Sequence, residues 1–164
     1  VDITGATAVA NGVGVKVFNG AHDNTVGGTT DKGNIISGNT TSGVLITGTT
    51  ATNNTVAGNY IGTDASGMSA LGNSDGVWID TSSGNTVGGT SVGARNVISG
   101  NSIGVSVLGT SSNTNLSANL IGTDLAGSAT PGFANSIYGV EIEGGTRTKL
   151  EGNTIVRSGT GVKS

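Results

Sequence analysis

Cysteine is absent from all 164 residues, which excludes disulfides, zinc–thiolate centres and thiol catalysis. Proline, tryptophan and histidine occur once each, aromatic residues make up 3% of the chain and charged residues 10%. So little aromatic mass argues against an ordinary two-layer globule. The formal net charge is -3, so no basic footprint for nucleic acid is present and none is expected as a partner. No stretch approaches the roughly 18 apolar residues of a bilayer span, and membrane insertion is not expected.

Glycine is what the chain has in quantity, at 31 residues. Without a Gly-x-x period it does not encode collagen, and at about 1 kcal/mol per helical glycine it argues against long helices. A disordered, low-complexity chain would scatter its apolar residues. Here Val, Ile and Leu fall at period two within short runs, the mark of strands.

Those runs recur. Gly-Val stands at 14, 43, 76, 104, 139 and 161, at spacings of 29, 33, 28, 35 and 22 residues. The shortest cycle divides into Val140, Leu150, Ile155 and Val162, at steps of 10, 5 and 7 residues, which suits three short strands and three corners. Extra length alternates between two corners. Gly27–Gly33 and Gly88–Arg95 lengthen the one before the third strand, whereas Gly62–Gly67 and Gly122–Gly127 lengthen the one after it, giving a two-turn super-repeat of about 62 residues. The expected fold is all-β: a parallel β-helix of about five turns, with residues 13–164 as its single domain and residues 1–12 as an incomplete first turn or cap.

Asn-Val-Ile-Ser-Gly-Asn at 96–101, Ile-Gly-Thr-Asp at 61–64 and the Gly-Val-x-Ile strands resemble the right-handed parallel β-helix repeats of bacterial surface and secreted proteins, the pectin-lyase-like fold. That resemblance, with the handedness rule for parallel crossovers, implies a right-handed coil and an extracellular or cell-surface location.

Stacked turns bring like residues together. Asn34, Asn59, Asn96, Asn119 and Asn153 each lie two residues before an inward Ile, so they should chain their amides as an internal ladder, with Asn24, Asn54 and Asn85 as a shorter one. Function must lie outside. The first strand presents Lys16, Leu45, Trp78, Ser106 and Glu141, with Phe18, Thr47, Asp80, Leu108 and Glu143 two places on. Trp78, Asp80, Glu141 and Glu143 form a candidate carbohydrate face. Members of the resembled fold that act on polysaccharides use carboxylates or Lys/Arg on such strands, but no catalytic constellation is complete here. Ile35, Tyr60, Val97 and Leu120, ending at Thr154, make an apolar outward column. It is a candidate interface, or else is covered by the closing corners that carry Met68, Leu71, Leu125, Phe133, Ile137 and Tyr138.

Asp64 and Asp124 recur in Gly-Thr-Asp corners and are weak calcium candidates, because each brings one carboxylate and an Asp turn explains the repeat more simply. No cofactor is otherwise implied. His22 reads as a turn residue. The outward file Thr25, Thr55, Thr86 suggests ice binding, but Asn115 and Lys149 break it. No terminal cap is evident, since Gly161-Val162-Lys163-Ser164 begins another turn, so a stretch of a longer repeat or a unit stacking end to end is expected. The function expected is a non-enzymatic structural or adhesive module able to form filaments. A carbohydrate-binding or polysaccharide-active β-helix is the alternative, with ice binding ranked lower.

Overall fold

The computed structural model describes residues 1–29, 33–156 and 159–164. Its strands, numbered in chain order, fall into three parallel sheets. The first contains β1 (Val13–Val17), β4 (Ser42–Thr47), β7 (Asp75–Asp80), β10 (Ile103–Leu108), β13 (Tyr138–Glu143) and β16 (Thr160–Lys163), in that spatial order. The second stacks β2 (Thr25–Gly27), β5 (Thr55–Ala57), β8 (Thr86–Gly88), β11 (Asn115–Ser117) and β14 (Lys149–Glu151). The third stacks β3 (Ile35–Ile36), β6 (Tyr60–Ile61), β9 (Val97–Ile98), β12 (Leu120–Ile121) and β15 (Thr154–Ile155). Every neighbour is the equivalent strand of the next turn. This is a right-handed parallel β-helix, the hand that parallel crossovers adopt.

Register follows the aliphatic alignment. Val44 pairs with Val77, Val77 with Val105 and Val105 with Val140, while Ile61 pairs with Ile98 and Ile98 with Ile121. Turns roughly 4.8 Å apart therefore place like side chains in contact. The interior is one continuous cluster in which Ile46, Ile61, Ile79, Ile98, Leu116 and Ile121 are wholly buried. No aromatic ring takes part in it, which explains how the chain forms a core with so few of them.

The glycines before the inward valines of the first four turns, Gly14, Gly43, Gly76 and Gly104, have a steric cause. A Cβ on Gly76 would sit 2.5 Å from the Gly104 carbonyl oxygen and 2.6 Å from Ile98 Cγ2; on Gly43 it would meet Gly76 O and Ile61 Cγ2 at 2.7 and 2.9 Å. The first strand enters so close to its neighbour that only hydrogen fits.

The inserted corners also take shape. Gly88–Arg95 holds a 3-10 turn at Val92–Ala94, whereas the predicted corner at Gly27–Gly33 falls partly on residues 30–32, outside the described residues. The closing corner of turn two doubles back, with the Asp64 N–H donating to Ser69 O and the Leu71 N–H to Gly62 O. Residues 1–12 contain no strand. Asp2 organises a turn by accepting from the N–H groups of Thr4, Ala6 and Thr7, and Gly5 O receives the Ala65 N–H at 3.0 Å, tying this segment to the turn-two corner.

Candidate functional site

Three amide ladders run through the coil, one at each corner. In the first, the N–H and Nδ2 of Asn59 both donate to Oδ1 of Asn96, at 2.9 and 3.1 Å, and Asn119 does the same to Asn153 at 2.9 and 3.0 Å. Asn34 donates likewise to Asn59, and Asn96 Nδ2 to Asn119. The second proton of each Nδ2 goes to a carbonyl one turn back: Asn59 to Val26, Asn96 to Val56, Asn119 to Val87 and Asn153 to Leu116. Each buried carboxamide is thus satisfied at both ends, as burial demands. The second ladder joins Asn24 to Asn54 and Asn54 to Asn85. Thr114 and Thr148 take its next two places, and their hydroxyls are buried without a partner.

The third ladder, Asn39, Asn73, Asn101 and Asn135, is absent from the sequence reading. Its amides link successively at 2.8, 3.0 and 3.3 Å, and Asn73, Asn101 and Asn135 also donate to the carbonyls of Ile36, Ile61 and Ile98. The signal was available. Each of these residues follows Gly or Ala and precedes the strand glycine by three or four places, a spacing that period two does not reveal.

Serines account for the two-turn super-repeat. Ser37 Oγ donates to Thr63 O and accepts the Gly62 N–H, and Ser99 Oγ donates to Thr123 O and accepts the Thr123 N–H. Each clamps a Gly-Thr-Asp corner on the following turn. Beyond the clamp, Asp64 accepts from the N–H groups of Met68 and Ser69 and from the Ser66 hydroxyl. Desolvation works against its ionised form, but the Ser66 hydroxyl and these amides hold its carboxyl below the usual range. The Thr130 hydroxyl and the Ser128 and Ala126 amides do the same for Asp124. Both carboxylates organise their own loops. Among the described residues, no three His, Cys, Asp or Glu side chains converge to hold a metal ion.

On the outward face of the first sheet, one file runs Lys16, Leu45, Trp78, Ser106, Glu141, Lys163 in strict register. Glu141 is only 9% exposed and receives Lys163 Nζ at 2.7 Å; the same ammonium lies 3.3 Å from Glu143 and 5.3 Å from the centre of the Tyr138 ring. Ser106 Oγ donates to Asp75 Oδ1 at 2.6 Å. Burial pushes the Asp75 carboxyl up, the Ser106 hydroxyl opposes that, and the charge of Glu141 adds to it. Trp78 is half-buried, and its indole Nε1 has no partner. Asp80 belongs to a separate file between Thr47 and Leu108, held by the hydroxyls of Thr47 and Thr81, so it does not stack with Glu141.

The third-sheet column is largely covered by the chain itself. Val97 and Leu120 are buried, Ile35 and Tyr60 are half-buried, and a Cβ on Gly127 would lie 3.5 Å from Leu120 Cδ2. A cavity of about 290 Å³ remains beside Ile35, Tyr60 and Ala65. Thr25, Thr55 and Thr86 align in register and are followed by Asn115 and Lys149. His22 is exposed, 2.7 Å from Asp23.

The molecule belongs to the class of parallel β-solenoids with asparagine ladders. Comparison with protein-family models, curated proteins and solved structures finds no match in any of the three.

Proposed function

We propose that this chain is a non-enzymatic structural and adhesive module, a rigid β-solenoid of the pectin-lyase-like kind in an extracellular or cell-surface bacterial protein, able to associate end to end. The observation that carries this reading is the employment of its polar groups. Twelve asparagines form the three ladders, Asp64 and Asp124 fold their own corners, and Glu141 and Glu143 share Lys163. These side chains are committed to holding the rod together. Sedimentation and negative-stain microscopy over a concentration series test the reading. Threads that lengthen with concentration are expected, and particles that stay single at every concentration contradict end-to-end association.

A second reading has one observation in its favour: part of the Trp78 ring is exposed on the outward face of the first sheet. A sugar ring could stack on that exposed surface. Saccharide affinity that is lost in Trp78→Ala would establish this carbohydrate-binding role for the face that includes Asp80, Glu141 and Glu143. Absence of saccharide binding by the unmodified chain would remove it.

A further inference from the structure

Phe18, Trp78 and Tyr138 are the aromatic side chains of the first sheet and its strand ends, and two of the three carry an ammonium group. Lys16 Nζ lies 4.8 Å from the centre of the Phe18 ring, and Lys163 Nζ lies 5.3 Å from that of Tyr138 while also meeting Glu141 and Glu143. Trp78 is the third, and among the described residues no lysine or arginine is seated on it. We propose that this ring and the carboxylates beside it, Asp75 and Asp80, bind a polysaccharide that carries protonated amines, a polymer of glucosamine type and not of uronic acids.

Charge decides the class of ligand. The Asp75 carboxylate shares the outward face with Trp78, because its Oδ1 accepts from Ser106 Oγ at 2.6 Å and Ser106 is the register neighbour of Trp78 on β10. Asp80 follows Trp78 by two places, the step that returns a side chain to the same face, and the hydroxyls of Thr47 and Thr81 hold its carboxylate. One carboxylate thus stands on each side of the ring along β7. On β4 the register neighbour is Leu45, which is uncharged. Lys163 is taken by Glu141 and Glu143, and Lys16 lies two strands away over Phe18. A uronate would meet like charge here, whereas an amine is attracted by the face of the indole and by both carboxylates.

The same face favours a sugar over a basic peptide. The carboxylates flank the ring and leave part of its surface open, so a pyranose can stack there with its amines directed to Asp75 and Asp80. An extended peptide adds to a sheet through a free edge. None exists at Trp78, since β7 is paired with β4 on one side and with β10 on the other.

This inference rests on the carbohydrate reading above, and the choice of ligands separates the two. Trp78 is the sole tryptophan, so its fluorescence reports occupancy of this face directly. Oligomers of glucosamine, N-acetylglucosamine, galacturonate and lysine, matched in length, are titrated into the chain and followed by fluorescence and calorimetry. Glucosamine oligomers are expected to bind most tightly, to shift the Trp78 emission and to lose affinity with added salt. Asp75→Asn should weaken that binding by about tenfold, through loss of one charge-assisted contact. It should not unfold the chain, because burial disfavours the charge it removes. Asp80→Asn should act in the same direction, with thermal melts of both variants as the check on folding. Tighter binding of acetylated or uronate oligomers overturns the amine inference and leaves the carbohydrate reading standing. Absence of any saccharide binding overturns both. Tighter binding of the lysine oligomer overturns the inference in favour of a basic peptide, and unchanged glucosamine affinity in the two folded variants overturns the role of the carboxylates.

Discussion

Asn59 gives two protons to one oxygen of Asn96, from its backbone N–H at 2.9 Å and from its Nδ2 at 3.1 Å. Asn96 in turn passes its own Nδ2 protons to Asn119 and to the Val56 carbonyl. The stability of the coil depends on such two-way links, because the groups involved are buried and have no access to water.

Replacing Asn96 by Ala should therefore cost more than one hydrogen bond. It strands the Asn59 donors and the Val56 carbonyl, and each unpaired buried group costs about 1–3 kcal/mol. The same change at Asn34, which is exposed at the end of its ladder, should cost below about 1 kcal/mol. Asn96→Asp should be worse than Asn96→Ala at neutral pH, since a carboxylate can accept from Asn59 but would face Asn119 Oδ1 and Val56 O with no proton to give. Urea unfolding midpoints check all three.

Gly76→Ala and Gly161→Ala test whether the Gly-Val motif is steric. Gly76 has backbone and Ile98 within 2.6 Å of its would-be Cβ, whereas nothing lies within 4 Å at Gly161. The first change should destabilise by about 1–3 kcal/mol or more. The second should be neutral, or stabilise by up to about 1 kcal/mol through the unfolded state. Equal effects in thermal melts would count against close approach of the turns as the cause.

Thr114→Val should leave stability unchanged or raise it by up to about 1 kcal/mol. The substitution keeps the shape and removes a buried hydroxyl that has no partner. A clear loss of stability would mean that the hydroxyl is bonded.

The aspartates carry opposite signs in their pH dependence. Asp64 and Asp124 titrate below their ordinary value of 3.8, so their contribution is complete above that pH and is lost as pH falls through the lowered folded values. Asp75 titrates above 3.8, so its ionisation opposes folding; the penalty is complete above the raised folded value and vanishes below 3.8. Asp124→Asn should lower the melting temperature at pH 7, and Asp75→Asn should raise it. Both differences should shrink in acid. Melting curves from pH 2.5 to pH 7 read both signs.

The strands and the first two ladders were legible in the sequence because they rest on period two and on identity between turns. Val44, Val77, Val105 and Val140 stack as their alignment implies, and so do Asn59, Asn96 and Asn119. Corners obey other rules. Asn39, Asn73, Asn101 and Asn135 sit where the chain turns, their distance to the next strand varies by one residue, and strand periodicity stops there. The Ser37 and Ser99 clamps were hidden for a related reason: each bonds a corner 24 to 26 residues further on. Of the outward face, the file of Trp78, Ser106 and Glu141 could be read. The pairing of Glu141 with Lys163 depends on a sixth strand docking in register, and the seating of residues 1–12 against Ala65 has no repeat to mark it.

The central claim is that equivalent residues of successive turns touch. Methyl-to-methyl nuclear Overhauser contacts in isoleucine-labelled protein test it most directly, through the column Ile36, Ile61, Ile98, Ile121, Ile155. An unbroken series of contacts between neighbours in that order is predicted. A missing link between Ile61 and Ile98, or between Ile98 and Ile121, would contradict the stacking on which the ladders and the glycine motif depend.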